Sequence, residues 1–333
     1  MLFVMMPLIK ATAGLYCQLR RIFSMDTNST NATSSLLGKS CQFSRVASIV
    51  FIFLHVLSSV LAITGNSLVL LAVYKSQRLR NVSNFFLCSL GFADFLVGAI
   101  MNPLYATFMA LFMTSTRLPF FLFKISDFLT CQTLVASTIS LCSVSIDRYI
   151  AIKWPLRYHL IMSDKKCGMV ISCVWLFSIA MGIPQVILSD RRDLKLFGIL
   201  SSAITAIVPL SVIVFCYVQI VAIAREQSRM LAGSTHGPSH QERIRIRAMK
   251  FEKAALTFVL IAGVFVLTFT PHLVLSFVHV FVREDATGCS FHKKYGIWFI
   301  LLMFSSSFLN PIIYSARSRE FRNAFKRLLK LHV

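Results

Sequence analysis

Asp147-Arg148-Tyr149 and Asn310-Pro311-Ile312-Ile313-Tyr314 each close a long apolar run, placing polar or helix-disturbing groups in sequence otherwise suited to hydrocarbon. An unpaired polar group in lipid costs several kcal/mol unless protein or trapped water satisfies it, so residues of this kind usually mark function. The chemistry they offer is pairing rather than bond-making. Arg148 brings a guanidinium beside the Asp147 carboxylate, and the two can pair locally. Asn66, Asp94 and Asn310 fall at mid-depth of three separate apolar runs. The economical arrangement brings them together in a shared interior, hydrogen-bonded to one another and to water. There is no paired-carboxylate set, no Ser/Lys set and no His-rich metal motif of the sort an intramembrane hydrolase needs, so the chain does not read as an enzyme.

The elements that position these residues follow from composition. Of 333 residues 56% are hydrophobic and only 14% charged, with a mean hydropathy of +0.72, which describes a membrane protein rather than soluble domains. Runs long enough to cross a hydrocarbon layer of roughly 30 Å occur at 47–74, 83–111, 120–146, 168–188, 197–224, 254–282 and 295–315. The expected fold is therefore all-α, a bundle of seven transmembrane helices over 47–315, preceded by a tail over 1–46 and followed by 316–333. Gly182 and Pro184 interrupt the outer end of the fourth run, where the helix can simply stop. Segment 318–331 sets Phe321, Phe325, Leu328 and Leu329 among Arg and Lys at helical spacing, which predicts a short amphipathic helix on the inner leaflet, the other reading being a disordered basic tail. Internal repeats of the transporter kind are absent.

A net charge of +21 is of the size seen in nucleic-acid binders, but the Lys and Arg sit in connecting segments, not in one folded patch, and no nucleic-acid partner is expected. Lys75, Arg78 and Arg80, then Lys153, Arg157, Lys165 and Lys166, then the series from Arg225 to Lys253, then Arg317 to Lys330 all fall on one side. That side is cytoplasmic, so the N-terminus is outside and the chain is a multi-pass protein of the plasma membrane. Asn28-Ser29-Thr30 and Asn31-Ala32-Thr33 are glycosylation acceptors that agree with this orientation, whereas Asn81-Val82-Ser83 falls in a cytoplasmic turn and is discounted. Residues 1–24 are apolar and basic; they read either as a targeting segment or as an extension ahead of Met25 as the working start. Cys88, Cys131, Cys142, Cys173 and Cys216 lie in spans as small hydrophobes. Cys41 and Cys289 are the pair that an oxidising compartment could join, with two free thiols as the alternative.

Gly65-Asn66, Leu90 with Ala93-Asp94, Asp147-Arg148-Tyr149, Trp175, Pro209 and Tyr217, Phe265 and Pro271, and Asn310-Pro311 with Tyr314 appear in order, one set per span. This ordered set resembles the rhodopsin-like (class A) G-protein-coupled receptors, over residues 49–328. The resemblance implies a receptor that binds an extracellular ligand and activates a heterotrimeric G protein by outward movement of the sixth helix, freeing Arg148. It also assigns Leu156 as an apolar knob for the G protein, with membrane lipids as the other partner of the basic loops. Pro209, Pro271 and Pro311 supply hinges, and Phe269 stands where an aromatic toggle is usual, with Thr268 before it. Asp94, Ser137, Ser307 and Asn310 offer oxygens for a sodium ion as allosteric modulator, a purely structural polar cluster being the alternative; no other cofactor is implied. Phe251, with Glu252 beside it, stands where many relatives have an acid that restrains Arg148, so elevated ligand-independent signalling is expected.

Departures from the family narrow the ligand. Thr130 replaces the acid of amine receptors and Phe304 the lysine of photoreceptors, which points away from amines and retinal and towards a peptide or lipid. Phe123 replaces the cysteine that normally ties the third span to the second outer loop. These features resemble the melanocortin, lysophospholipid, cannabinoid and adenosine-like cluster, and a Cys41–Cys289 pair is similar to that of melanocortin receptors. Asp127 matches an acidic ligand position of that group although Phe123 and Leu104 fill its partners' places, and Pro209 and Asn310 depart from it. Asp127 and His272 are expected to face the pocket beside Thr130. The competing functions are a receptor fold that scavenges without signalling and a transporter.

Overall fold

The computed structural model describes residues 44–114, 116, 119–188, 197, 205, 207–232, 260–272, 274 and 291–330, and among these it contains helices and turns but no strand. The helices are α1 (Arg45–Lys75), α2 (Val82–Met113), α3 (Phe120–Lys153), α4 (Asp164–Ile187), α5 (Val208–Ala232), α6 (Leu260–His272), α7 (Phe291–Arg317) and α8 (Arg319–Leu328). Within the described residues α1, α2, α3, α4 and α7 are long and apolar enough to cross a membrane, while α5 and α6 contribute the shorter apolar stretches Val208–Ile223 and Leu260–His272.

Local chemistry sets where these helices begin. Ser44, Asn81, Ser163 and Ser318 each sit at an N-cap and accept a backbone N–H from three residues on, at 3.1, 3.0, 3.4 and 3.3 Å. Each such cap satisfies an otherwise orphaned helix donor and contributes about 1 kcal/mol. Asn81, the discounted glycosylation acceptor, thus has a structural task. Inside α2, residues Val97–Met101 form a π turn just ahead of Pro103. Proline lacks the N–H and clashes with the carbonyl four residues back, and widening the preceding turn relieves both.

α3 is the central column, packed against α2, α4 and α5, while α1 lies against α2 and α7. The apolar core has two parts. The inner one gathers Leu79, Leu87, Leu141, Ile220, Ile261 and Tyr314, and the outer one Phe51, Met101, Tyr105, Met109, Ile300 and Phe304. Small residues permit the closest approaches. A Cβ on Gly182 would stand 2.7 Å from the Phe128 ring, so glycine there brings α4 against α3.

The fourth run, expected over 168–188, forms a helix that passes through Gly182 and Pro184 and ends at Ile187, the alternative of an early stop being the one set aside; Leu188 N–H closes its end on the Pro184 carbonyl at 2.9 Å. So near a terminus the missing proline N–H leaves one carbonyl without its helical partner, and the last turn persists. The amphipathic segment is helical, yet Phe321 and Phe325 turn into the bundle beside Leu79 and Tyr314 instead of towards lipid, while Leu329 is exposed.

At Gly98, within the π turn, an added Cβ would meet Ala62 Cβ at 2.8 Å and α1 backbone at 3.1 and 3.2 Å, contacts that cannot rotate away. Gly98→Val should therefore lower the thermal stability of the purified protein by about 1–3 kcal/mol. Gly168→Ala, with nothing within 4 Å of the new Cβ, should leave it unchanged or raise it by up to about 1 kcal/mol; equal effects at the two sites would refute the close approach.

Candidate functional site

The inner end of α3 holds a buried charge. Asp147 is 0% exposed, and both of its oxygens are engaged. Oδ2 accepts from Ser83 Oγ at 2.5 Å, from Arg148 Nε at 3.0 Å and from Arg148 Nη2 at 2.6 Å, while Oδ1 accepts from the Tyr158 hydroxyl at 2.7 Å. The donors come from the first turn of α2, from the neighbouring residue and from the single helical turn Tyr158–Ile161 in the following loop. Burial, together with the Asp147 carboxylate beside it, pushes the Tyr158 phenol up to about 12, so it remains a protonated donor at neutral pH. Arg148 therefore pairs locally, as its position beside Asp147 led one to expect. Ser83 and Tyr158 were not anticipated in this role, because neither has a spacing relation to Asp147 that a linear pattern exposes.

The surrounding loop presents the surface expected to meet a partner. Leu156 is 95% exposed. Lys153 caps Tyr149, donating to its hydroxyl at 2.6 Å with Nζ over the Tyr149 and Trp154 rings at 5.1 and 4.7 Å. Tyr217 on α5 is buried and its hydroxyl lies 3.5 Å from Ser145 Oγ. Tyr314 is buried against Phe321, with a hydroxyl that has no partner among the described residues.

At mid-depth Asn310 Nδ2 donates to Asp94 Oδ2 at 2.6 Å, and Ser307 is buried nearby on the same face of α7. Asn66 joins by a different route from the one expected: its Nδ2 donates to the Ser307 and Ala62 carbonyls, both at 2.9 Å, and not to Asp94 or Asn310. That pins α1 to the α7 backbone just ahead of Pro311, whose ring lies 3.0 Å from the position a Gly65 Cβ would take. Ser137 is buried, but none of the hydrogen bonds among the described residues links it to this group. Asp94 is 2% exposed and has no salt bridge among the described residues, while Asn66 Oδ1 is buried and unpartnered.

In α6, Phe265 and Phe269 stack at 5.5 Å, and Phe269 meets His272 at 6.4 Å. Pro271 lies between them and the outer end. At that end Asp127 Oδ2 and His272 Nδ1 are buried without a hydrogen-bond partner among the described residues, and no bond joins the two. Thr130 donates back to the Ser126 carbonyl at 2.7 Å, and Tyr105 of α2 stands near Asp127. Tyr105 was missed in the sequence, where it reads as one more aromatic of an apolar run. Lys124 donates to the Val186 carbonyl at the end of α4 at 2.7 Å. Cys41, Cys289, Asn28, Asn31, Phe251 and Glu252 lie outside the described residues.

These landmarks meet in one bundle, with an ion pair at one end and, at the other, polar atoms that have no hydrogen-bond partner among the described residues, and that arrangement defines a membrane receptor. The model of the 7 transmembrane receptor (rhodopsin family) matches residues 65–314, and the chain belongs to that family. It is similar to melanocortin receptor 5 of Mus musculus, 28% identical over 88% of this chain and 86% of that one. Melanocortin receptor 4 of Danio rerio is 30% identical over 79% of this chain and 78% of its own length. The alpha-1D adrenergic receptor of Sus scrofa is 30% identical over 81% of this chain, which spans only about half, 54%, of that protein. The melanocortin resemblance is thus supported, and an amine receptor stands among the relatives too.

Hydrogen bonds to a charged group contribute about 1.5–3 kcal/mol each. Tyr158→Phe and Ser83→Ala should each lower the thermal stability of the purified receptor by an amount in that range. The double variant should lose less than the sum, because both act on one carboxylate; strictly additive losses would contradict a shared network.

Proposed function

We propose that the chain is a plasma-membrane receptor, N-terminus outside, that converts binding of an extracellular peptide or lipid into activation of a heterotrimeric G protein. The observation that carries this reading is the division of polar groups: Asp147 and Arg148 are mutually satisfied at the inner end, while Asp127 Oδ2 and His272 Nδ1 at the outer end have no hydrogen-bond partner among the described residues. A ligand group that satisfies the outer atoms supplies differential binding energy, and the inner pair is the element whose alternative partners can be exchanged. Outward movement of α6 frees Arg148 and, with the exposed Leu156, completes the G-protein surface.

Thr130 supports a peptide or lipid over an amine, because the deep acid that would pair an ammonium is not at that position; Asp127, higher in α3, suits a basic group of a larger ligand. A sodium ion would be held by Asp94, Ser137, Ser307 and Asn310 and would favour the resting arrangement by neutralising the Asp94 charge there. No catalytic step on the ligand is involved.

Cells expressing the receptor should give cyclic AMP or calcium output above vector level without added ligand, and Arg148→Ala should abolish it. Output at vector level from surface-expressed receptor would overturn the signalling reading. Once a ligand is found by screening peptides and lipids, Asp94→Asn should remove the sodium dependence of its binding; unchanged dependence would eliminate the ion site.

A further inference from the structure

The outer halves of α1, α2 and α7 enclose a polar knot that belongs neither to the Arg148 pair nor to the Asp94 group. His55 is 0% exposed, and its Nδ1 lies 2.9 Å from Asn102 Oδ1. Asn102, also 0% exposed, donates from Nδ2 to Ser58 Oγ at 3.1 Å, which turns its oxygen towards the imidazole. Nδ1 therefore carries the hydrogen and donates, leaving Nε2 as the bare acceptor, buried and without a partner among the described residues. Beside it Ser59 Oγ donates to the Gly98 carbonyl at 2.7 Å, inside the π turn. α1 thus grips α2 at the point where the α2 backbone is distorted.

The same imidazole is in ring contact with both neighbours. It stacks on Tyr105 at 5.9 Å and 9° and meets Phe304 of α7 edge-on at 6.4 Å, and Tyr105 meets Phe304 at 5.4 Å. Tyr105 in turn meets Phe108 at 6.0 Å, and Phe108 meets Phe123 of α3 at 5.3 Å, one helical turn before Asp127. Phe304 precedes Asn310 by under two helical turns. A packed series of side chains therefore connects the outer end of α3, one turn from Asp127, with the α7 segment that reaches Asp94.

We propose that the His55–Asn102 hydrogen bond is a latch that fastens α2 to α1 in the resting arrangement, with His55 acting as a positioning residue between Tyr105 and α7. Anything that engages Asp127 or Thr130 and displaces Tyr105 must turn or slide the imidazole stacked on it. That movement breaks the bond to Asn102 and releases Phe304. Two discrete arrangements follow, because the imidazole has one donor, one fixed acceptor partner and ring surfaces that leave no intermediate position.

This rests on the signalling reading, and the test separates the two. His55→Phe keeps the ring and removes the donor; Asn102→Leu removes the acceptor; the double variant removes both. In the purified receptor each single change should lower the thermal midpoint and the double change should lower it no further than the larger single one. Each should also raise ligand-independent nucleotide exchange on a heterotrimeric G protein roughly fivefold, the size of one net buried hydrogen bond, with the double variant at the same level. Additive thermal shifts overturn the latch whether or not the receptor signals. Coupled thermal shifts with exchange unchanged from an active wild type also overturn it, leaving only a packing contact. Coupled thermal shifts in a wild type that drives no exchange contradict the signalling reading instead. Should His55→Phe fail to fold, the reciprocal pair His55→Asn with Asn102→His must restore the midpoint lost in His55→Asn alone, and failure to do so counts against the latch.

Discussion

The burial of the Asp147 carboxylate is the constraint on which the inner end of this receptor depends. A charge with no solvent contact is tolerated only when its oxygens are filled by well-placed donors, and losing one partner of such a pair costs about 3–5 kcal/mol. Three separate pieces of chain meet that demand: Ser83 at the foot of α2, Arg148 on α3 and Tyr158 in the loop beyond. Their convergence fixes α2 against α3 and curls the loop back so that Leu156 points outwards at 95% exposure. The inner end is therefore an arrangement held by a small number of directed bonds.

Polar groups occur in three layers along the bundle, separated by aromatic packing. The inner layer is closed on itself. The middle one, where Asn310 holds Asp94 and Asn66 holds the Ser307 carbonyl, ties α1, α2 and α7 together. In the outer layer Asp127 Oδ2 and His272 Nδ1 have no hydrogen-bond partner among the described residues. Phe265 and Phe269 on α6 lie between the layers, and Tyr105, His55 and Phe304 span the gap on the other side. Close-packed rings transmit displacement because they cannot be compressed, which gives the outer end a mechanical route to the inner one.

Much of this was legible in the residues themselves. Long apolar runs announced the helices, and the intramembrane Asp94, Asn310 and Asp147 announced their partners, because hydrocarbon leaves a polar group few alternatives. Asn66 was placed in the right cluster but with the wrong partner, since its choice of a backbone carbonyl depends on the close approach of Gly65 to Pro311, which no pattern encodes. Ser83, Tyr158, Tyr105 and His55 were invisible for a related reason. Serine and tyrosine are ordinary in such helices, and a histidine within an apolar run becomes informative only once Asn102 is seen beside it. Pro184 left an early stop of the fourth helix open as an alternative, and the helix runs on because a proline one turn from a helix end breaks little.

The account stands or falls on whether the Asp147 charge restrains Arg148. Nucleotide exchange on a purified heterotrimeric G protein, measured without ligand for the wild-type receptor and for Asp147→Asn at equal receptor amounts, tests this directly. The amide cannot form the ion pair, so exchange should accelerate several-fold over the wild type. Exchange at or below the wild-type rate, from an Asp147→Asn receptor that is folded and still brings G protein to the membrane, would contradict it.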